Sequence, residues 1–253
     1  MAVIEHKLFK ELFETVWFWA KTHVEKTYDS KHFKLPFPRG AGIKLSPKQV
    51  YEYNCYYWCR RLDDIFDRLK AIQTMTGRSL YKKKNEVKSV LMQEWIMYNY
   101  EQYTIVYQGI LDVALLLTNE ILELGTPYTK CTYNTIFENT RVNGTSVHRV
   151  LKKLNNTTTK HREGKNFFVH RGERIELPID KKIYDAIDVT NMAIKLGLEI
   201  GYTKELLEEF LEIHTRKQII QIMEKECKII EPQIEELLTE LLPYYHTFHS
   251  LYL

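Results

Sequence analysis

The sequence predicts an all-α fold, a helical bundle, and three observations carry that prediction. Apolar residues recur at three-to-four spacing along most of the chain. Ten glycines and seven prolines are few for 253 residues, so long uninterrupted elements are expected. Outside Phe167 to Leu177, no run of useful length alternates apolar and polar residues as a half-buried strand would.

The elements follow in order. Val3 to about Thr27 reads as an amphipathic helix with Leu8, Leu12, Val16 and Trp19 on one side. Pro36, Pro38, Gly40 and Gly42 then make residues 33–45 a connecting loop. Ser46-Pro47 starts the next helix, with a side-chain cap followed by a residue whose missing N–H is not needed in the first turn. That helix should reach about Thr74, with the turn at Gly77 and Arg78. Asn85 is positioned to cap a long helix ending before Gly125 and Pro127. Leu91, Trp95, Tyr98 and Ile105 lie on one side of it, and a kink is expected near Gly109.

A short helix is expected around Ile136, then a longer one capped by Ser146 with Val147, Val150, Leu151 and Leu154 inward. Asp180 caps a helix ending near Gly197 or Gly201. Thr203 caps another, in which Leu206, Ile213, Ile220 and Cys227 recur every seven residues as a partial heptad seam. Pro232 should open a last helix, to about His249. The expected organisation is a single domain, with residues 1–45 (helix and loop) packed on a bundle of residues 46–253; no repeat or low-complexity tract interrupts it.

Composition narrows the chemistry. Hydrophobic residues at 44% and charged residues at 27% are ordinary for a globular protein. A net charge of +3 does not argue for nucleic acid by itself. Its distribution matters more: Lys82-Lys83-Lys84 and residues 152–174 are basic, while clustered acids lie in the C-terminal third, which permits an anionic ligand near the middle.

Cys55, Cys59, Cys131 and Cys227 show no CxxC spacing and no histidine companion. With no signal-peptide pattern at the start, they read as free thiols in a cytoplasmic protein. No apolar run is expected to span a bilayer, since Val113 to Leu117 is too short. No HExxH or ExxH motif, P-loop, GxGxxG or GxSxG is present, so no metal or cofactor is expected.

The densest chemistry lies in Lys160-His161-Arg162-Glu163-Gly164-Lys165-Asn166-Phe167-Phe168-Val169-His170-Arg171-Gly172. A histidine among cationic donors suits phosphodiester chemistry, where one group moves a proton and others neutralise an oxyanion. Within it, Lys165-Asn166-Phe167-Phe168-Val169-His170 resembles the signature of the HEPN superfamily: an arginine, a polar residue, three variable residues and a histidine, late in a helical bundle. Asn166 and His170 match; the family's arginine is Lys165 here. An ammonium is a point charge and lacks the planar fork of guanidinium, which Arg162 or Arg171 would have to supply.

The resemblance implies a metal-independent endoribonuclease in which His170 takes the proton of a ribose 2′-hydroxyl, Asn166 orients it, and Lys165 with Arg162, Arg171 and His161 binds the phosphate. It also implies a homodimer, served by the Leu206 to Ile230 seam, and an antitoxin-type partner in a toxin–antitoxin or phage-defence setting. An inactive relative that binds nucleotide or protein is the alternative. A second alternative function is a helical magnesium-dependent enzyme of diphosphate chemistry centred on Asp63, Asp64 and Asp67, while the structural alternative for the motif residues is a hairpin, with strands at 167–169 and 174–177 around His170.

Two further motifs were weighed. Asp63-Asp64-Ile65-Phe66-Asp67 looks like the magnesium-binding DDxxD box of helical diphosphate enzymes, but no facing second box exists, so a solvated helix face is expected. Tyr51, Tyr53, Tyr56, Tyr57 and Trp58 have the composition of a base-stacking platform and the spacing of a packing stripe.

Overall fold

The computed structural model describes residues 3–27, 45–78, 88–162, 166, 175–179, 185, 189–190, 192–193, 196–198 and 211–252. It is all-α: no strand occurs among the described residues. Residues 167–174, which the hairpin alternative needs, lie outside the described residues, and 175–177 are irregular. The caps of the expected helices at Asn85, Asp180 and Thr203 also lie outside them.

The helices whose bounds fall among the described residues are α1 (Lys7–Thr27), preceded by a 3-10 turn at Val3–Glu5, α2 (Pro47–Gly77), α3 (Lys88–Ile121), α4 (Tyr133–Phe137), α5 (Ser146–Thr159) and α6 (Lys217–Ser250). A π-helical turn, Leu211–Arg216, leads directly into α6. The chain divides into two compact units. Unit 1 holds residues 1–64, 110–155 and 231–253; unit 2 holds 65–109 and 156–230.

In unit 1, Leu8, Leu12 and Val16 of α1, Cys55, Cys59 and Leu62 of α2, Ala114, Leu117 and Ile121 of α3, and Val147, Val150, Leu151 and Leu154 of α5 form the core. These include the inward positions the helical spacing predicts for α1 and α5; Trp19, at the end of the α1 stripe, is half-buried. Two histidines of α6 tie into the same unit. His246 meets Glu11 of α1 at 2.6 Å, and His249 meets the buried Glu52 of α2 at 2.8 Å.

Helix ends obey local chemistry. The Gln49 N–H donates to Ser46 Oγ (3.3 Å) and the Ser46 N–H to Gln49 Oε1 (3.0 Å), a reciprocal capping box in front of α2. At α5 the cap is Thr145, whose Oγ1 accepts from the His148 N–H at 3.2 Å. Ser146 is not the cap: its hydroxyl instead donates to Glu240 of α6. The C-terminus of α3 is closed twice. Arg141 Nη1 donates to the carbonyls of Leu122 and Glu123, both at 3.0 Å, and Gly125 takes a left-handed φ of 69° that other residues rarely adopt.

In unit 2 the core is Phe66 and Leu69 of α2, Ile96, Met97, Tyr100, Tyr103 and Tyr107 of α3, and Ile219, Met223, Cys227 and Ile230 of α6. The inner face of α3 is therefore the tyrosine row, whereas Tyr98, expected on the same side as Trp95, is exposed. Tyrosine serves inside where its hydroxyl finds a backbone acceptor: Tyr103 donates to the Met223 carbonyl at 3.0 Å and Tyr107 to that of Glu226 at 3.4 Å. Met223, Cys227 and Ile230, the C-terminal end of the heptad seam, are spent on this core.

Two expectations need correction. Pro232 opens no helix; α6 runs through both Pro232 and Pro243. Its buried stripe, from Ile219 through Ile234, Leu237 and Leu241 to Tyr245, continues in helical phase past the prolines, and that packing outweighs the lost hydrogen bond at each. The expectation of no bilayer-length run also fails by composition, since Glu94–Ile121 of α3 is long and apolar enough to cross a membrane; 61% of its most apolar window is nevertheless buried inside the protein.

Two stability predictions follow from these helices. The α-helix is assigned without a break through Gly109, where an added Cβ would meet Ile65 Cδ1 at an ordinary 3.8 Å. Gly109→Ala should thus stabilise by about 0.5–1 kcal/mol in urea titration, the difference in helix propensity. Pro232 is exposed within α6, so Pro232→Ala should raise stability by about 1–3 kcal/mol by restoring an N–H and relieving the ring clash. A loss of stability in either variant contradicts the corresponding account.

Candidate functional site

The polar segment begins where α5 ends. Lys160 and His161 form a turn after Thr159, closed by a 3.1 Å bond from the His161 N–H to the Thr158 carbonyl, and helical geometry resumes at Arg162. Both side chains of that turn converge on one residue of α6. Lys160 Nζ lies 2.7 Å from Glu226 Oε1, and His161 Nε2 lies 3.0 Å from Glu226 Oε2. His161 is 7% exposed and Glu226 6%. The imidazole is walled by the rings of Tyr107 and Tyr103, at 5.1 and 6.3 Å between centroids, each near edge-on. Gln108 of α3 donates to the Thr158 carbonyl just before the turn.

Burial alone would raise the Glu226 carboxyl. The hydrogen bond and charge of His161, and those of Lys160, outweigh it and hold this group below the ordinary carboxylate value of 4.5. Glu226 is therefore ionised at neutral pH, and its negative charge is enclosed between two basic side chains. Sequence reading missed it. The available signal was its place in the apolar stripe of α6, since Met223 and Ile230 lie three before and four after it and are buried.

The predicted site residues fall as follows. His161 is in the interior cluster with Glu226, in contact with core tyrosines. Arg162 is helical and half-buried; Asn166 is helical and exposed. Lys165, His170 and Arg171 lie outside the described residues. The structure thus brings together Lys160, His161 and Glu226.

Other candidates have structural employment. Arg60 Nη1 lies 2.5 Å from Asp63 and Nη2 lies 3.0 Å from Asp64, so the aspartate pair is neutralised from within its own helix. Asp63 is 3% exposed, which corrects the expectation of a fully solvated face; Asp67 is exposed. No group of three or more metal-binding side chains exists among the described residues. Cys55, Cys59 and Cys227 are buried free thiols, and burial pushes that of Cys131 up to about 11.

The aromatic residues of α2 pack rather than form an open platform. Tyr51 stacks on Tyr245 at 6.0 Å, Tyr56 meets Phe9 at 5.9 Å, and Trp58 meets Tyr128 at 5.5 Å. His148 stacks on Phe137 at 3.7 Å. Two cavities in unit 1, of about 620 and 600 Å³, contain none of the predicted site residues.

Long α2 and α3, a late polar segment and a return helix define the class: an all-α helical-bundle protein. The family model described as Cthe2314-like HEPN matches residues 49–238, most of the chain and all of the polar segment, and the chain belongs to that family. No curated protein and no solved structure matches it.

The charge arrangement predicts an acid-sensitive contribution. Because the folded-state value of Glu226 is lowered, its stabilisation is complete above 4.5 and is lost as pH falls through the folded-state value. Glu226→Gln should cost on the order of 2 kcal/mol at pH 6–7, the worth of hydrogen bonds to a charged group. The gap to the unsubstituted protein should close as pH drops below 4.5. Thermal melts of both proteins from about pH 7 to 3 measure it; a gap constant over that range would refute the assignment.

Proposed function

We propose that this HEPN protein is a metal-independent endoribonuclease acting through Lys165, Asn166 and His170. One observation carries the reading: the HEPN family match covers Lys165 to His170, and Asn166 is helical and exposed within it. An exposed carboxamide in a basic segment suits an anionic ligand. Glu226, the acid beside this segment, is already engaged by Lys160 and His161.

In the proposed reaction His170 removes the proton from a ribose 2′-hydroxyl. The 2′-oxygen attacks the adjacent phosphorus and the bond to the 5′-oxygen breaks. The products are a 2′,3′-cyclic phosphate and a 5′-hydroxyl, the latter receiving the proton carried by the imidazolium. Lys165, with Arg162 and Arg171, offsets charge on the non-bridging oxygens. Asn166 orients the imidazole or a phosphate. A homodimer placing two motifs on one cleft, a cytoplasmic location and an antitoxin-type partner belong to the same proposal.

A second reading rests on Lys165. An ammonium where the family carries guanidinium fits a protein that binds RNA or nucleotide without cleaving it. The two readings separate on single-stranded RNA in the presence of chelator. His170→Ala should lower cleavage by at least about a hundredfold, the usual contribution of a general base. Lys165→Arg should preserve or raise it. Binding without cleavage by the unsubstituted protein selects the second reading, and cleavage that survives His170→Ala but stops with chelator eliminates this mechanism.

A further inference from the structure

We infer that Glu226 is a positioning residue: through Lys160 and His161 it holds the chain leaving α5 in the register that presents Arg162 and Asn166 to RNA. The inference rests on the ribonuclease reading, and its argument uses unit 2 alone. Successive side chains on an α-helix diverge by about 100°, so one carboxylate can hold two consecutive residues only where the helix is interrupted. Here the interruption is the turn at Lys160 and His161 between Thr159 and Arg162. Each oxygen of Glu226 takes one of these residues, at 2.7 and 3.0 Å.

The clamp has other jaws. Gln108 fixes the Thr158 carbonyl, Tyr107 and Tyr103 wall the imidazole, and Tyr107 binds the Glu226 carbonyl at 3.4 Å. Position, rotation and exit direction of the turn are thereby set from α3 and α6 together. Stability alone does not call for this arrangement. A buried ion cluster is commonly no more stabilising than apolar side chains of the same volume, whereas it specifies one register. Arg162 is the next residue and is helical, and Asn166 follows four residues later in the sequence, so the clamp fixes the point from which the motif segment starts.

A matched control exists elsewhere. Glu52 in unit 1 is a second buried glutamate bonded to a histidine, His249 at 2.8 Å. Full-length Glu226→Gln and Glu52→Gln are compared by amide hydrogen exchange and by cleavage of single-stranded RNA. Both should melt earlier than the unsubstituted protein. Glu226→Gln alone should speed exchange across residues 156–162 by about tenfold. It should also lower kcat by at least about tenfold with KM within about twofold, because a displaced group costs rate rather than binding. Lys160→Met, at a half-exposed side chain that tolerates substitution, should show the same pattern more weakly and serves if Glu226→Gln does not fold.

Exchange and kcat in Glu226→Gln equal to those of Glu52→Gln overturn the inference, as does faster exchange with kcat unchanged. Should the unsubstituted protein not cleave RNA, the ribonuclease reading falls on its own. Exchange then decides whether Glu226 holds the turn: a rise confined to residues 156–162 supports it, and no local rise overturns it.

Discussion

A charged carboxylate in a protein core is costly unless it is paired, and that constraint shapes unit 2 around Glu226. Glu226 meets it with two residues that are adjacent in sequence, Lys160 and His161. The tyrosines of α3 complete the enclosure because a phenol supplies apolar bulk and one donor, which Tyr103 and Tyr107 spend on carbonyls of α6. One α3 face, one turn of α6 and the exit of α5 are mutually fixed by these few groups. The same helix is apolar enough to cross a bilayer, yet its hydroxyls at Tyr103, Tyr107 and Thr118 are bonded to backbone carbonyls inside the protein.

Much of the fold was legible because helix termini and stripes are local matters. Ser46, Pro47 and Gln49 make a capping box from four consecutive residues, and the inward face of α5 follows from spacing alone. The failures share a physical cause. Ser146 satisfies every local criterion for a cap, yet Glu240, distant in sequence, takes its hydroxyl and Thr145 caps instead. Pro232 is a valid helix start in isolation; continuous burial of the α6 stripe overrides it. In both, a tertiary partner decided between two acceptable local states.

The candidate site divides the same way. Asn166 and His170 were visible as a short motif, and the family match covers them. Glu226 was not visible, because a single acid on a mostly apolar stripe reads equally as an interruption of the seam or as the boundary of the buried face. Its role appears only when Lys160 and His161 arrive from another helix. His161 illustrates the converse. A histidine in a basic segment suggests phosphate binding, but its imidazole sits between Tyr107 and a carboxylate of the protein's own, 3.0 Å from Glu226 Oε2. Asp63 was misread for a related reason: charge predicts solvent, and Arg60 removed the need for it.

The division of cations across this segment bears on the lysine that replaces the family's arginine. Phosphoryl oxygens in a transition state are best held by two parallel donors, which one ammonium cannot supply in fixed geometry. Lys160 and His161 do not fill that need, because Glu226 already engages both. The segment also carries Arg162, Lys165 and Arg171, two of which are guanidinium groups. Arg162 directly follows the two consecutive residues that one carboxylate grips, so Glu226 fixes the backbone at the point where the motif segment starts, and under the proposed reaction that is where positioning of a phosphate-binding group would be decided.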